Sequence, residues 1–247
     1  MVAPSPTSQH PAPGIVGRAA ERRRLDAFAN QVGAPGRSLV LVGEAGIGKT
    51  TLWHFGVERC RTAGVQVLVA RPTQDDRDNP GQGLRDLFRL HRSVPDPTED
   101  LPVVERSRWV LERLRTLLTD GPVVIAVDDL PWLDDITWRT LRFALRRLGD
   151  DPVALLATAR TWSPAELAVA APGLDGRVET LDLEGLAPTS LRRIVAAAVP
   201  ALDPPAAYRL GDLAHGNPFF ALELARAHRH GTGAPPQGSP LAVLAGR

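Results

Sequence analysis

The stretch Gly43–Thr50 reads GEAGIGKT, and Lys49 within it is the only lysine in a 247-residue chain with 29 basic residues. An arginine-biased composition accounts for the other cations but not for this exception. Arginine brings a planar five-donor fork, whereas lysine brings a compact ammonium on a flexible stem. A phosphate lying against a tight loop leaves room for the second and not for the first. Gly43, Gly48, Lys49 and Thr50 stand in the register of G-x-x-x-x-G-K-[ST]. The flanks agree: the apolar run SLVLV (38–42) precedes the loop, and a helical pattern from about Lys49 to Thr62 follows it. The glycines would let the backbone N–H groups of Gly43, Glu44, Ala45, Gly46, Ile47 and Gly48 turn inward as an anion nest. The positive end of the following helix adds to the attraction. In this arrangement Lys49 reaches β- and γ-phosphates, the Thr50 hydroxyl ligates Mg²⁺ and Thr51 contacts the α-phosphate. The competing reading is a plain glycine-rich turn.

Working outward, Ala19–Gln31 reads as a helix, and VQVLVA (65–70) and PVVIAV (122–127) read as further strands. Residues 72–83 and 94–102 are polar and proline-bearing, so they read as loops around a short helix at Leu84–His91. Val103, Val110, Leu111, Leu114, Leu117 and Leu118 share one helix face. Trp138, Leu141, Leu145 and Leu148 share another. Val153–Ala159 and Val178–Leu183 complete the strands. This alternation predicts an α/β fold with a doubly wound, mostly parallel five-stranded sheet. After Leu183, three helices at 188–199, 204–214 and 218–230 each open near proline and form a small C-terminal lid. The expected divisions are a Pro-rich arm at 1–14, a nucleotide-binding domain at 15–185, a helical lid at 186–230, and a Gly/Pro-rich linker with the start of a next domain at 231–247.

The run VVIAVDDLPWLDD (123–135) is a strand that ends in carboxylates, at the sheet edge where ligands of open α/β sheets bind. Asp128 would hold Mg²⁺ opposite Thr50, and Asp129 would orient or deprotonate an attacking water. The alternative is an Asp-Asp turn capping the next helix. Fast ATP-driven motors usually present glutamate at the second position, and aspartate is one methylene shorter, so slow hydrolysis is expected. Arg160 closes the strand ALLATAR and would lie near a γ-phosphate if that strand neighbours the Asp128 strand. Otherwise it is a surface arginine.

A net charge of +1 leaves nothing global to attract nucleic acid or an anionic membrane. The single cysteine, Cys60, cannot form an internal disulfide and reads as core packing in a reducing compartment. No apolar run reaches the length needed to span a bilayer, so a cytoplasmic protein is expected.

Five separated pieces carry a family resemblance: IVGRAAERRRL (15–25), VGEAGIGKTTL (42–52), VVIAVDDLPWLDD, ALLATAR (154–160) and HGNPFFALEL (215–224). Together they resemble the STAND class of P-loop ATPases, and within it the nucleotide-binding domain of large LuxR-type transcriptional regulators. The resemblance implies that Val16 and Gly17 line an adenine pocket with Arg18 nearby. It also implies that Gly216, Asn217 and Pro218 bring the lid against the nucleotide, with Pro218 touching the base. Catalytic roles would fall to Lys49, Asp129 and Arg160, with ATP or ADP and Mg²⁺ bound, and lid closure would govern self-association. The chain departs from the family at Ala19, where glutamate is frequent, and at Asp135–Ile136, where Asp-Pro is frequent. Relatives continue into winged-helix, sensor and helix-turn-helix regions, so either a truncated regulator or a stand-alone remnant, without direct DNA binding, is expected. The alternatives are an AAA-type oligomeric motor or loader ATPase, or a P-loop small-molecule phosphotransferase. Lys49→Arg is expected to impair ATP binding although it preserves the charge, and calorimetry that returned wild-type affinity would refute the point-charge argument.

Overall fold

In the computed structural model, which describes residues 14–33, 38–88, 101–160, 178–200 and 202–229, the apolar runs become strands. These are β1 (Ser38–Val42), β2 (Gln66–Ala70), β3 (Val123–Val127), β4 (Val153–Ala159) and β5 (Val178–Asp182). They pair in the order β2–β3–β4–β1–β5, and every pairing is parallel. A parallel strand covered on both faces has to be apolar throughout. Accordingly β1, β3 and β4 are buried at every position, while the edge strand β5 (VETLD) is half-buried to exposed.

α1 (Ala19–Gln31) precedes β1, while α2 (Lys49–Thr62), α3 (Gln82–Phe88), α4 (Val103–Leu118) and α5 (Asp135–Leu148) lie between successive strands from β1 to β4. Alternate side chains of the strands feed two separate cores. On one face, Leu25, Leu52 and Trp53 of α1 and α2 cover Leu39, Leu41, Val124 and Leu156. Leu84, Leu114 and Leu141 of α3, α4 and α5 cover Val40, Ile125 and Leu155 on the other. Each such leucine contributes about 2 kcal/mol of hydrophobic stabilisation. Trp53 is fully buried and its indole Nε1 donates to Leu156 O at 3.1 Å, so its one polar atom is satisfied. Cys60 is also fully buried on α2, and burial pushes its thiol up to about 12. Beyond β5, α6 (Pro188–Ala198), α7 (Pro204–Leu213) and α8 (Pro218–Arg229) enclose a core of their own around Leu191, Val195, Ala221 and Ala225.

The element boundaries depart from the sequence reading in a few places. β2 begins at Gln66, because Val65 N–H still closes α2 by donating to Cys60 O. Within the expected 72–83 loop, Gln74–Asp78 forms a 3-10 turn stapled by a reciprocal cap between Thr73 and Asp76. Val103 opens α4 and is 42% exposed, ahead of the turn at which that face meets the core. Nearly all of the 1–14 arm and the 231–247 segment lie outside the described residues. No helix among the described residues is long and apolar enough to cross a membrane.

Asp134 explains why α3 starts two residues before its apolar pattern does. This 2%-exposed carboxylate caps α5 by accepting from Thr137 N (2.9 Å) and Thr137 Oγ1 (2.6 Å), and it also accepts from Gly81 N (2.8 Å) and Gly83 N (3.0 Å). The second aspartate pair of the run, rather than the first, thus performs the helix capping. Asp134→Ala removes the cap and strands buried amides, and is expected to destabilise the fold by about 3 kcal/mol in urea denaturation. Asp134→Asn, which keeps an acceptor, is expected to cost less.

Candidate functional site

The loop after β1 is shaped by two left-handed residues, Gly46 (φ +79°) and Gly48 (φ +105°), a conformation that glycine adopts without a Cβ penalty. Gly48 caps α2, whose first N–H groups have no acceptor within the helix and sit at its positive end. Lys49 is 7% exposed, and its Nζ donates to Gly43 O and Glu44 O, both at 2.8 Å. Desolvation lowers the Lys49 pKa, and Arg160 lowers it further, against the opposing pull of Asp129 and Asp128.

Asp128 follows β3 directly and Asp129 turns away from it in the left-handed region at φ 59°. Asp128 Oδ1 accepts from Thr50 Oγ1 at 3.3 Å and from Thr158 Oγ1 at 2.7 Å. The same Thr158 hydroxyl accepts the Asp129 amide at 2.7 Å. Thr158 is fully buried near the end of β4, in register with Leu41 of β1. Because β4 lies between β1 and β3, this hydroxyl connects the acidic turn to the strand beside the loop. Sequence reasoning missed Thr158. The available signal was a lone hydroxyl in an otherwise apolar strand, since a polar atom buried on both sides of a sheet must find a partner.

A cavity of about 360 Å³ opens here. Ala45, Gly46, Gly48, Lys49, Thr50 and Thr51 form its loop wall, Asp129 and the exposed Arg160 its sheet wall, and Pro218, Phe219 and Leu222 of α8 its lid wall. Thr50 and Asp128 supply two hard oxygen donors that suit Mg²⁺, which is typically held by one or two protein oxygens together with phosphate oxygens. Among the described residues no group of three or more His, Cys, Asp and Glu side chains gathers to bind a metal by itself. Gly43, Glu44 and Ile47 are not among the cavity walls. Gly43 stands against Leu183 and the Ile47 side chain joins the core. Val16 and Gly17 are also not among the walls, and a Cβ on Gly17 would collide with Ser190 of α6. Arg18 is buried at 5% exposure, pairs with Glu21, and donates to Ile47 O (3.0 Å) and Glu184 O (2.8 Å). Phe219 and Leu222 were not singled out in the sequence, although Pro218, Phe219 and Leu222 share one helical face.

The lid is seated on the loop. Asn217 Nδ2 donates to Ala45 O at 2.9 Å, and Phe219 N donates to Gly46 O at 3.3 Å. Gly216 (φ +85°) lets this turn approach the connection between β5 and α6 (183–187) so closely that a Cβ there would meet Gly185 Cα at 2.7 Å. Leu186 N donates to Gly216 O across the same contact at 2.8 Å.

Residues 14–156 match the family model described as the AAA ATPase domain, more than half of the chain, and the chain therefore belongs to that family. Among solved structures it is similar to Orc1 of Aeropyrum pernix in complex with DNA, with TM-score 0.66 and 22% identity over 90% of this chain and 63% of that one. Cdc6p of Pyrobaculum aerophilum gives TM-score 0.63 and 17% identity over 91% and 65% of the two chains. A point mutant of Thermotoga maritima RuvB gives 0.51 and 16% over 87% and 64%. This chain thus spans less than two thirds of the length of each, and the likeness is one of fold. No curated protein matches the sequence.

Burial raises the Asp129 pKa above the ordinary carboxylate value, as does the neighbouring Asp128, against Lys49 and Arg160. A raised acid keeps its proton longer in the folded state than in the unfolded one. Asp129 therefore costs no stability below the ordinary value of 3.8, and its ionisation subtracts stability as pH rises through the raised one. Asp129→Asn is expected to melt about 2 °C above wild type at pH 7, with the gap closing as pH falls toward that lower limit. Equal melting temperatures across the series would refute the assignment.

Proposed function

We propose that this chain binds ATP and ADP with Mg²⁺ and hydrolyses ATP, as the nucleotide-binding module of an AAA-type protein whose self-association depends on bound nucleotide. The observation that supports this most directly is the meeting of three separate chain segments, the loop, the strand ends and the lid, around one cavity. The loop amides and Lys49 cradle the β- and γ-phosphates. Thr50 and Asp128 would hold Mg²⁺, which would offset phosphate charge. Asp129, on the cavity wall facing the loop, accepts a proton from the attacking water at its carboxylate. The Arg160 guanidinium meets the charge that develops on the γ-phosphoryl group. Pro218, Phe219 and Leu222 close the site and exclude water.

The family match and the structural neighbours favour this AAA-type reading over a LuxR-type regulator. A slow STAND switch remains the second reading. It is supported by aspartate at position 129, where fast motors usually carry glutamate, and by a lid already hydrogen-bonded to the loop. Small-molecule phosphotransfer is less well supported, because adjacent carboxylates and a lid occupy the region where an acceptor pocket would lie. Steady-state ATP turnover measured alongside light scattering separates these readings. The AAA-type reading expects ATP to raise the molar mass, with turnover of about 1 per second or faster. A monomer with much slower turnover supports the switch. Failure to bind ATP or ADP at millimolar concentration overturns both.

A further inference from the structure

Three consecutive carbonyls of the phosphate loop are each hydrogen-bonded by groups outside it. Asn217 Nδ2 donates to Ala45 O at 2.9 Å, Phe219 N to Gly46 O at 3.3 Å, and Arg18 Nη2 to Ile47 O at 3.0 Å. The first two donors belong to the lid turn, and the third is also tied to Glu184 O on the approach to the lid. In a trans peptide the carbonyl of one residue and the N–H of the next point in opposite directions, and no peptide among the described residues is cis. Drawing the carbonyls of Ala45 and Ile47 outward therefore turns the N–H groups of Gly46 and Gly48 the other way, and both glycines line the cavity. The intervening amide, that of Ile47, is spent inside the turn on Glu44 O.

From this we infer that Asn217 is a positioning residue. It touches the loop rather than the phosphates, and it holds the anion nest with its amides presented before any nucleotide arrives. The lid thereby acts on phosphate affinity from behind the loop, independently of any contact with the base. This rests on the nucleotide-binding reading proposed above. Asn217 has a second task that can be separated from the first, because its Oδ1 accepts from Phe219 N (3.1 Å) and Phe220 N (3.4 Å) as the cap of α8. Serine caps a helix about as well as asparagine and is neutral, but it is too short to reach the Ala45 carbonyl.

Asn217→Ser keeps the cap and loses one hydrogen bond, so it is expected to melt no more than about 4 °C below wild type. It should bind both Mg-ATP and inorganic Mg-tripolyphosphate up to about ten-fold more weakly in calorimetry, the ceiling for one lost hydrogen bond. Its KM for ATP should rise with kcat unchanged within about two-fold, since the loss is one of ground-state organisation. In the nucleotide-free protein the amide resonances of Gly46 and Gly48 should shift. Wild-type affinity for both probes overturns the inference and leaves the nucleotide reading intact. Weakened ATP binding with unchanged tripolyphosphate binding also overturns it, because the effect then runs through the base. If wild type binds neither probe, the nucleotide reading fails and this inference falls with it.

Discussion

One fully buried hydroxyl holds the chemical halves of this molecule in register. Thr158 donates to the Asp128 carboxylate and accepts the Asp129 amide, while its own strand pairs with β1, the strand that delivers the phosphate loop. The interaction exists because β4 is inserted between β1 and β3. Without an intervening strand the acidic turn would pack against the loop directly. Without a hydroxyl at this place the left-handed Asp129 amide would lose its partner, at a typical cost of about 1–3 kcal/mol for a buried donor. The sheet order is therefore a requirement of the site as much as of the core.

A second constraint is that the lid and the sheet have separate apolar cores, joined mainly through polar contacts. Leu191, Val195 and Ala221 pack among themselves, and the described contacts back to the loop and to the connection between β5 and α6 are largely hydrogen bonds and close glycine approaches. Each such bond contributes on the order of 1 kcal/mol. An arrangement of this kind can open without unfolding either part. The buried Arg18 guanidinium is bonded to both the loop, at Ile47 O, and the connection between β5 and α6, at Glu184 O.

Much of this was legible in the sequence, for physical reasons that differ from part to part. The loop was legible because its residues are contiguous and its backbone needs glycine at 46 and 48. The central strands β1, β3 and β4 were legible because parallel strands buried on both faces leave unbroken apolar runs. Strand order has no local signature, so the position of β4, and with it the role of Thr158, could not be read. The 3-10 turn at Gln74–Asp78 escaped because side-chain capping, not periodicity, builds it. Asp134 was read only as part of a motif, since its amide partners lie some fifty residues away in the chain. Val16 and Gly17, whose adenine role came from resemblance alone, are not among the cavity walls, and Gly17 packs against α6.

The sole sulfhydryl of this chain, on the buried face of α2 with its ionisation pushed up to about 12, is expected to be close to inert toward maleimides and disulfide reagents at neutral pH. The natural sequence is therefore already a clean background for site-directed labelling. A pair of introduced thiols, one on the outer surface of α5 and one on α7, would carry dyes or spin labels without interference from the native one. Lid-to-sheet distances could then be followed molecule by molecule, with nothing first removed from the core.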